Sequence, residues 1–224
     1  MRICAIVPAF NEASQIAKVV GGAIPHVDEV VVIDDGSNDG TGKLARDSGA
    51  TCLSLASNRG KASALRAGIE FAAARGFSHV LTLDGDGQHR PEDIPLLIQA
   101  AVRTGADMVI GTRAFERHNM PRARFYSNTI GSRLASALVG REIRDSQSGF
   151  RLIRLDKLLS LELRSRFYEF EMEVLIKLAR AGCSIEQVPI PAVYEDGRAR
   201  SKMKPVRDTI RICIWSLAFR FLKG

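Results

Sequence analysis

His79-Val80-Leu81-Thr82-Leu83-Asp84-Gly85-Asp86-Gly87-Gln88-His89-Arg90-Pro91-Glu92 is the stretch whose reading decides the fold. Its apolar run, Val80 to Leu83, has the length and side chains of a buried parallel strand and stops at two Asp-Gly pairs. Two carboxylates, Asp84 and Asp86, therefore project from a strand end. The glycine after each lets the backbone turn tightly and lets a ligand come close. Lying two apart, the acids point the same way if the extended geometry persists. Such a pair suits a hard cation that also holds phosphate, because Mg²⁺ and Mn²⁺ take one or two protein carboxylates and leave other positions to water and substrate oxygens. Taken alone the tripeptide is equally a polar turn whose acids satisfy backbone donors.

The chain around it has 224 residues, 46% hydrophobic and 25% charged, enough to bury a large core in one α/β domain. A formal net charge of +7, concentrated in arginine, suits an anionic partner: a sugar nucleotide, an anionic membrane surface or nucleic acid. Cys4, Cys52, Cys183 and Cys213 are far apart and form no CxxC pair, so they read as reduced thiols of a cytosolic protein. The N-terminal apolar run is interrupted at Asn11-Glu12, too early for a signal peptide, and reads as a first strand ending at Pro8.

Strand, acid-rich turn and helix then alternate. A helical pattern in Ile16, Val19, Val20 and Ala23 leads to a strand, Glu29 to Ile33, which ends in Asp34-Asp35-Gly36-Ser37. A helix from Thr41, a short strand at Thr51 to Leu55 and a helix from Ala62 to Arg75 return the chain to the opening stretch. This is the rhythm of a doubly wound sheet, which binds ligands at the carboxyl ends of its strands. Asn11-Glu12, Asp34-Asp35 and Asp84/Asp86 would meet in one crevice there. Neither G-x-G-x-x-G nor G-x-x-x-x-G-K-[ST] occurs, which argues against a dinucleotide enzyme and a P-loop NTPase.

Beyond the stretch, a helix from Ile94 to Arg103 and a strand from Asp107 to Ile110 lead to Gly111-Thr112-Arg113. Arg113, Arg117, Arg122 and Arg124 form a basic run suited to phosphate oxygens. Few aromatics interleave with it and no nucleic-acid motif is recognisable, so no nucleic-acid partner is expected. Ser127 to Val139 reads as an amphipathic helix with Ile130, Leu134, Ala137 and Leu138 on its apolar side. Glu169, Glu171 and Glu173 open a helix that runs to Ala181; they cannot share one face, so one reaches the site and the others meet solvent. A strand from Ile185 to Pro191 precedes a basic segment containing Arg198, Arg200, Ser201, Lys202 and Lys204. Residues 205–224 are too charged to span a bilayer and read as a separate C-terminal helix with two apolar stripes. One stripe docks on the domain of residues 1–204. The other, with Trp215, Phe219 and Leu222, lies in a membrane interface or pairs with a second subunit as a homodimer.

Pro8-Ala9-Phe10-Asn11-Glu12, Asp34 to Gly40, Asp84 to His89, Gly111-Thr112-Arg113 and Asp145-Ser146-Gln147-Ser148-Gly149-Phe150-Arg151 occur in that order. Together, from Ile3 to about Lys202, they resemble the inverting family 2 glycosyltransferases, most closely the dolichol-phosphate mannosyltransferase-like, polyprenyl-phosphate branch. The resemblance implies a GT-A fold, a Rossmann-like and mainly parallel sheet flanked by helices. It also implies transfer of a hexose from GDP-mannose or UDP-glucose to a polyprenyl or dolichyl phosphate, with Mg²⁺ or Mn²⁺ as cofactor. Pro8, Ala9, Asn11 and Glu12 match the segment lining the nucleotide pocket, and Asp34 or Asp35 matches the acid that reads the base. Asp84 and Asp86 match the metal and diphosphate motif, with Gln88 as a sugar or metal contact and Gly85 standing where alanine is more usual. Arg113 falls in the phosphate-binding set. Asp145 matches the position that acts on the acceptor as base or orienter, and a cap of the following turn is the structural alternative. Arg198, Arg200, Ser201 and Lys202 resemble the loop that closes over the diphosphate. The expected location is the cytoplasmic face of a membrane, in peripheral contact. Transfer to a soluble glycan or small phosphorylated acid is the alternative reaction. A sugar nucleotidyltransferase would carry a Gly-rich loop with Arg and Lys near the first strand, and a non-catalytic subunit would bind without turnover.

Overall fold

The apolar runs form a seven-stranded sheet whose inner strands are covered on both faces. The protein is described by a computed structural model over residues 1–113, 122–165 and 169–191, with side chains from residue 125 in the middle stretch. The strands are β1 (Ile3–Ala9), β2 (Glu29–Asp34), β3 (Thr51–Ser54), β4 (His79–Thr82), β5 (Met108–Arg113), β6 (Arg151–Arg154) and β7 (Ile185–Ile190). Across the sheet they lie in the order β3-β2-β1-β4-β6-β5-β7. β6 runs antiparallel to both its neighbours, and the other pairings are parallel. The helices are α1 (Ile16–Ala23), α2 (Thr41–Asp47), α3 (Lys61–Ala74), α4 (Ile94–Thr104), α5 (Arg122–Val139), α6 (Leu155–Leu159) and α7 (Phe170–Arg180).

Strand alternation sorts the core into two layers. Along β1, Cys4 and Ile6 join the cluster that contains residues of α3, α6 and α7, whereas Ile3, Ala5 and Val7 join the one with α1 and α4. β2 divides likewise, Val31 and Ile33 to the first face and Val30 and Val32 to the second. Closeness of α3 to the sheet depends on Gly68: a Cβ added there would lie 2.3 Å from Ile6 Cγ2. The parallel pairings put Ala9 beside Asp34 and Ile6 beside Thr82, so β1, β2 and β4 end on the same edge and the turns after them share one crevice.

Two features depart from the sequence reading. β6 and α6 were not anticipated, because Arg151 to Arg154 is only four residues with arginine at both ends. The apolar face assigned to α5 is also corrected: Ile130 is 51% exposed, and Ser127, Asn128 and Ser132 are buried instead. Hydroxyl groups on this face are met by backbone groups of the loop before β6. Ser132 Oγ accepts the Ser146 amide (3.1 Å) and Ser136 Oγ accepts the Ile143 amide (2.9 Å). The segment from 192 onward, with Arg198, Arg200, Ser201, Lys202 and the C-terminal helix of 205–224, lies outside the described residues.

Candidate active site

The turn after β4 is the floor of the crevice. β4 ends at Thr82, so the extended geometry that would align Asp84 with Asp86 does not persist, and the two acids sit in an irregular turn. They remain electrostatic neighbours: burial first, and then the Asp84 charge, push the Asp86 carboxyl up to about 6. Gln88 orients Asp86 by donating its amide N–H to Oδ1 (3.0 Å) and its side-chain Nε2 to Oδ2 (2.8 Å). Gly85 lies on the end of β1, where an added Cβ would be 3.3 Å from the Pro8 carbonyl and 3.4 Å from Ala9 Cβ. This contact joins the Pro8-Ala9 segment to the acidic turn.

The turn after β1 is shaped by Asn11, whose φ of 51° is left-handed. Its amide donates to Ser37 Oγ (2.9 Å) and its Oδ1 accepts the Asn38 amide (3.0 Å), tying this turn to the one after β2. The Glu12 carbonyl accepts from Gln15 and Ile16 at the start of α1, and the Glu12 charge adds to the rise of Asp86, so its carboxylate faces the same crevice. Asp34 accepts the Ser37 amide (3.0 Å). Asp35 accepts the amides of Arg59 and Gly60, both at 2.8 Å. Both acids are buried, and Asp35 fixes the turn from which Lys61 begins α3.

Lys61 is a residue that the sequence reading passed over. Its Nζ lies 2.5 Å from Asp84 Oδ1 and 2.6 Å from Glu171 Oε1. Burial opposes ionisation of Asp84, but the Lys61 charge outweighs it and holds that carboxyl below its ordinary range. On the other side, His89 Nε2 is 4.0 Å from Asp84 Oδ2 and its ring stacks on Phe150 at 5.4 Å. Burial, with the Arg113 charge, pushes His89 down to about 4, so it is neutral at pH 7. Its Nδ1 has no hydrogen-bond partner.

Asp145 is fully buried and both its oxygens are engaged by Arg113, Nε to Oδ2 at 2.7 Å and Nη2 to Oδ1 at 3.1 Å. Oδ1 also accepts the Gln147 amide (3.3 Å), the bond of a residue that caps the following turn. The loop from 145 to 149 is held from inside by Arg151, which is 1% exposed. The Arg151 guanidinium donates to the carbonyls of Ser148 (2.7 Å), Ser146 (2.7 Å) and Glu171 (2.5 Å). Gly149 backs directly onto Asp84: an added Cβ would lie 2.8 Å from Asp84 Oδ2 and 3.0 Å from Lys61 Nζ.

The expectation that only one acid of Glu169, Glu171 and Glu173 is turned inward is overturned, since all three are buried. The first two turns of α7 are enclosed on every side, Phe170 to Ile176 all being buried, so acids on different faces of the helix are covered alike. Glu171 pairs with Lys61, and Glu173 accepts the Ser165 amide (2.8 Å), the Ser165 hydroxyl (2.5 Å) and the Arg164 amide (2.9 Å). Local pattern alone carries no sign of those partners, which come from α3 and from the loop before α7.

Asp84 and Asp86 fit a hard divalent cation. They supply two oxygen-donor groups that repel each other, with the Lys61 ammonium on Asp84. Among the described residues no group of three or more His, Cys, Asp or Glu is placed to hold a metal ion. Mg²⁺ and Mn²⁺ take one or two protein carboxylates and leave other positions to water and phosphate oxygens.

A sheet of this order, with acidic turns gathered at one edge, defines a GT-A type nucleotide-sugar-binding fold. Residues 4–160 match Glycosyl transferase family 2, and the chain belongs to that family. It is 32% identical over 237 residues to an undecaprenyl-phosphate mannosyltransferase of Micrococcus luteus, covering 99% of this chain and 96% of that one. A UDP-N-acetylglucosamine–dolichyl-phosphate N-acetylglucosaminyltransferase of Methanococcus voltae is 31% identical over 214 residues, with 85% of each chain covered. Among solved structures, glucosyl-3-phosphoglycerate synthase of Mycobacterium tuberculosis with Mn²⁺, UDP-glucose and phosphoglyceric acid superposes with a TM-score of 0.75 at 25% identity. The match covers 100% of this chain and 81% of that one.

Proposed function

We propose that this glycosyltransferase moves a hexose, with inversion, from a nucleoside-diphosphate sugar to a polyprenyl phosphate. The observation that carries the reading is the meeting of Glu12, Asp84 and Asp86 with the cations Lys61 and Arg113 at one sheet edge. Names of the two bacterial and archaeal relatives point to lipid-phosphate acceptors, and their different sugars leave GDP-mannose and UDP-linked hexoses as donors to be compared.

In this reading an acceptor phosphate oxygen attacks the anomeric carbon, the bond from that carbon to the diphosphate oxygen breaks, and the diphosphate leaves with the electron pair. Asp84 and Asp86, the latter steadied by Gln88, would hold Mg²⁺ or Mn²⁺, which would supply Lewis-acid stabilisation of the leaving diphosphate. Arg113 presents its guanidinium to phosphate, with Asp145 fixing its orientation. An acceptor phosphate is already anionic at neutral pH, so no strong base is needed and Asp145 acts as orienter. Pro8, Ala9, Asn11, Glu12 and one of Asp34 and Asp35 line the nucleotide side, and Arg198, Arg200, Ser201 and Lys202 are assigned to the diphosphate from the sequence. Among the described residues no helix is long and apolar enough to cross a membrane. Peripheral contact at an anionic lipid surface is assigned from the net charge of +7.

The test is transfer of radiolabelled sugar from GDP-mannose, UDP-glucose or UDP-N-acetylglucosamine, with either cation, to undecaprenyl phosphate in vesicles or to phosphoglyceric acid in solution. Label in the lipid phase supports the proposal. Label in phosphoglyceric acid alone replaces it with the soluble-acceptor reaction that the Mycobacterium tuberculosis structure suggests. Hydrolysis without transfer to either acceptor refutes both.

A further inference from the structure

We infer that Glu171 is a positioning residue that works through Lys61, holding its ammonium partly away from Asp84 so that this carboxylate stays open to a divalent cation. The inference rests on the reading of Asp84 and Asp86 as the metal site. Lys61 is the first residue of α3, and the preceding turn is pinned by Asp35 at the Arg59 and Gly60 amides. Glu171 arrives on the first turn of α7, and its own carbonyl is held by Arg151. The ammonium therefore sits between two carboxylates presented by separately anchored elements, at 2.5 Å and 2.6 Å. Glu171 uses one oxygen for this contact, and its Oε2 is buried without a hydrogen-bond partner.

Charge explains why the arrangement matters. Lys61 is shared between two contacting carboxylates, Asp84 and Glu171, so its single positive charge is divided between them. Without the Glu171 charge, the ammonium has one contacting carboxylate. It then rests on Asp84 alone and competes with the metal there. A carboxylate that merely stabilised the start of α7 would have no such effect on metal binding.

The experiment uses the full chain and reads the Mn²⁺ midpoint of the thermal shift at saturating UDP or GDP, together with the cation-free melting temperature. Glu171→Gln is expected to raise the midpoint about tenfold or more, equivalent to weakening the site by roughly 1.4 kcal/mol. In a Lys61→Met background the same substitution is expected to change it less than about threefold, because no ammonium remains to compete. An unchanged midpoint with a lowered melting temperature overturns the inference, as does an equal change in both backgrounds. If Lys61→Met does not fold, Glu171→Asp replaces it: the charge is kept but withdrawn by one methylene, the midpoint is expected to rise, and an unchanged one overturns the inference. Asp86→Asn separates the underlying reading. Loss of the Mn²⁺ response there with no effect of Glu171→Gln sinks only the Glu171 assignment, whereas a native response in Asp86→Asn sinks the metal site itself.

Discussion

Replacing Arg151 by methionine removes a side chain that ties the loop of residues 145–149 to α7. Its guanidinium is 1% exposed and makes three short bonds to carbonyls. Bonds to a charged donor contribute about 1.5–3 kcal/mol each, which gives roughly 4.5–9 kcal/mol for three. Burial works against them, since desolvation pushes the guanidinium down to about 10. Arg151→Met takes a charged donor away from three carbonyls, and a net loss of about 3–5 kcal/mol is expected, as for other broken buried charge networks. At about 2–4 °C per kcal/mol for a domain of this size, the melting temperature falls by about 6–20 °C. Urea unfolding and calorimetry measure it. Arg154→Met is the internal control: its side chain is 42% exposed and pairs with Asp156 and Asp107 in solvent, so a much smaller loss is expected. Equal and small shifts for the two arginines refute the reasoning.

Two further perturbations test other parts of the structure. Burial opposes ionisation of Glu173, but its bonds from Ser165 and Arg164 and its contact with Lys177 outweigh that and lower its carboxyl below the ordinary 4.5. A depressed acid stabilises the fold at pH values above its unfolded pKa and loses that contribution as pH falls through the folded one. Wild-type urea midpoints are therefore expected to exceed those of Glu173→Gln at pH 7 and to converge with them towards pH 3.5; a pH-independent gap contradicts this. Gly149→Ala sets a Cβ 2.8 Å from Asp84 Oδ2 and 3.0 Å from Lys61 Nζ, so it is expected to displace that ion pair and weaken Mn²⁺ binding about tenfold or more. Native Mn²⁺ binding in that variant refutes the close approach.

The sheet was legible because its inner strands are continuous apolar runs ending in acid and glycine, a pattern set by burial on both faces. Asp84, Asp86 and Glu12 were legible for the same reason, as polar residues at the ends of such runs. What escaped detection depends on distant partners. Lys61 opens α3 in a stretch that reads as an ordinary solvated helix start, and only the arrival of Glu171 from α7 makes it part of the site. Arg151 belongs to a short strand that local composition disfavours, and its burial is made possible by three carbonyls brought there by folding. The α5 face was misread because hydroxyl groups that bond a neighbouring loop satisfy burial as well as aliphatic groups do. Asp145 was singled out as base or orienter, but its bidentate bond with Arg113 joins residues 32 apart and has no local signal in the sequence.

The central claim is that Asp84 and Asp86 form a cation-dependent diphosphate site, and calorimetric titration of UDP and GDP, with Mn²⁺ or with chelator, tests it most directly. In the native protein one of the two nucleotides is predicted to bind only with Mn²⁺, and more weakly as pH falls below about 6, because a proton on Asp86 competes with the metal. In Asp86→Asn that binding is predicted to vanish while the cation-free melting temperature at pH 7 equals or exceeds the native one, since a carboxylate whose ionised form is penalised by burial has been removed. Nucleotide binding of equal affinity with chelator, or undiminished binding in Asp86→Asn, would contradict the account.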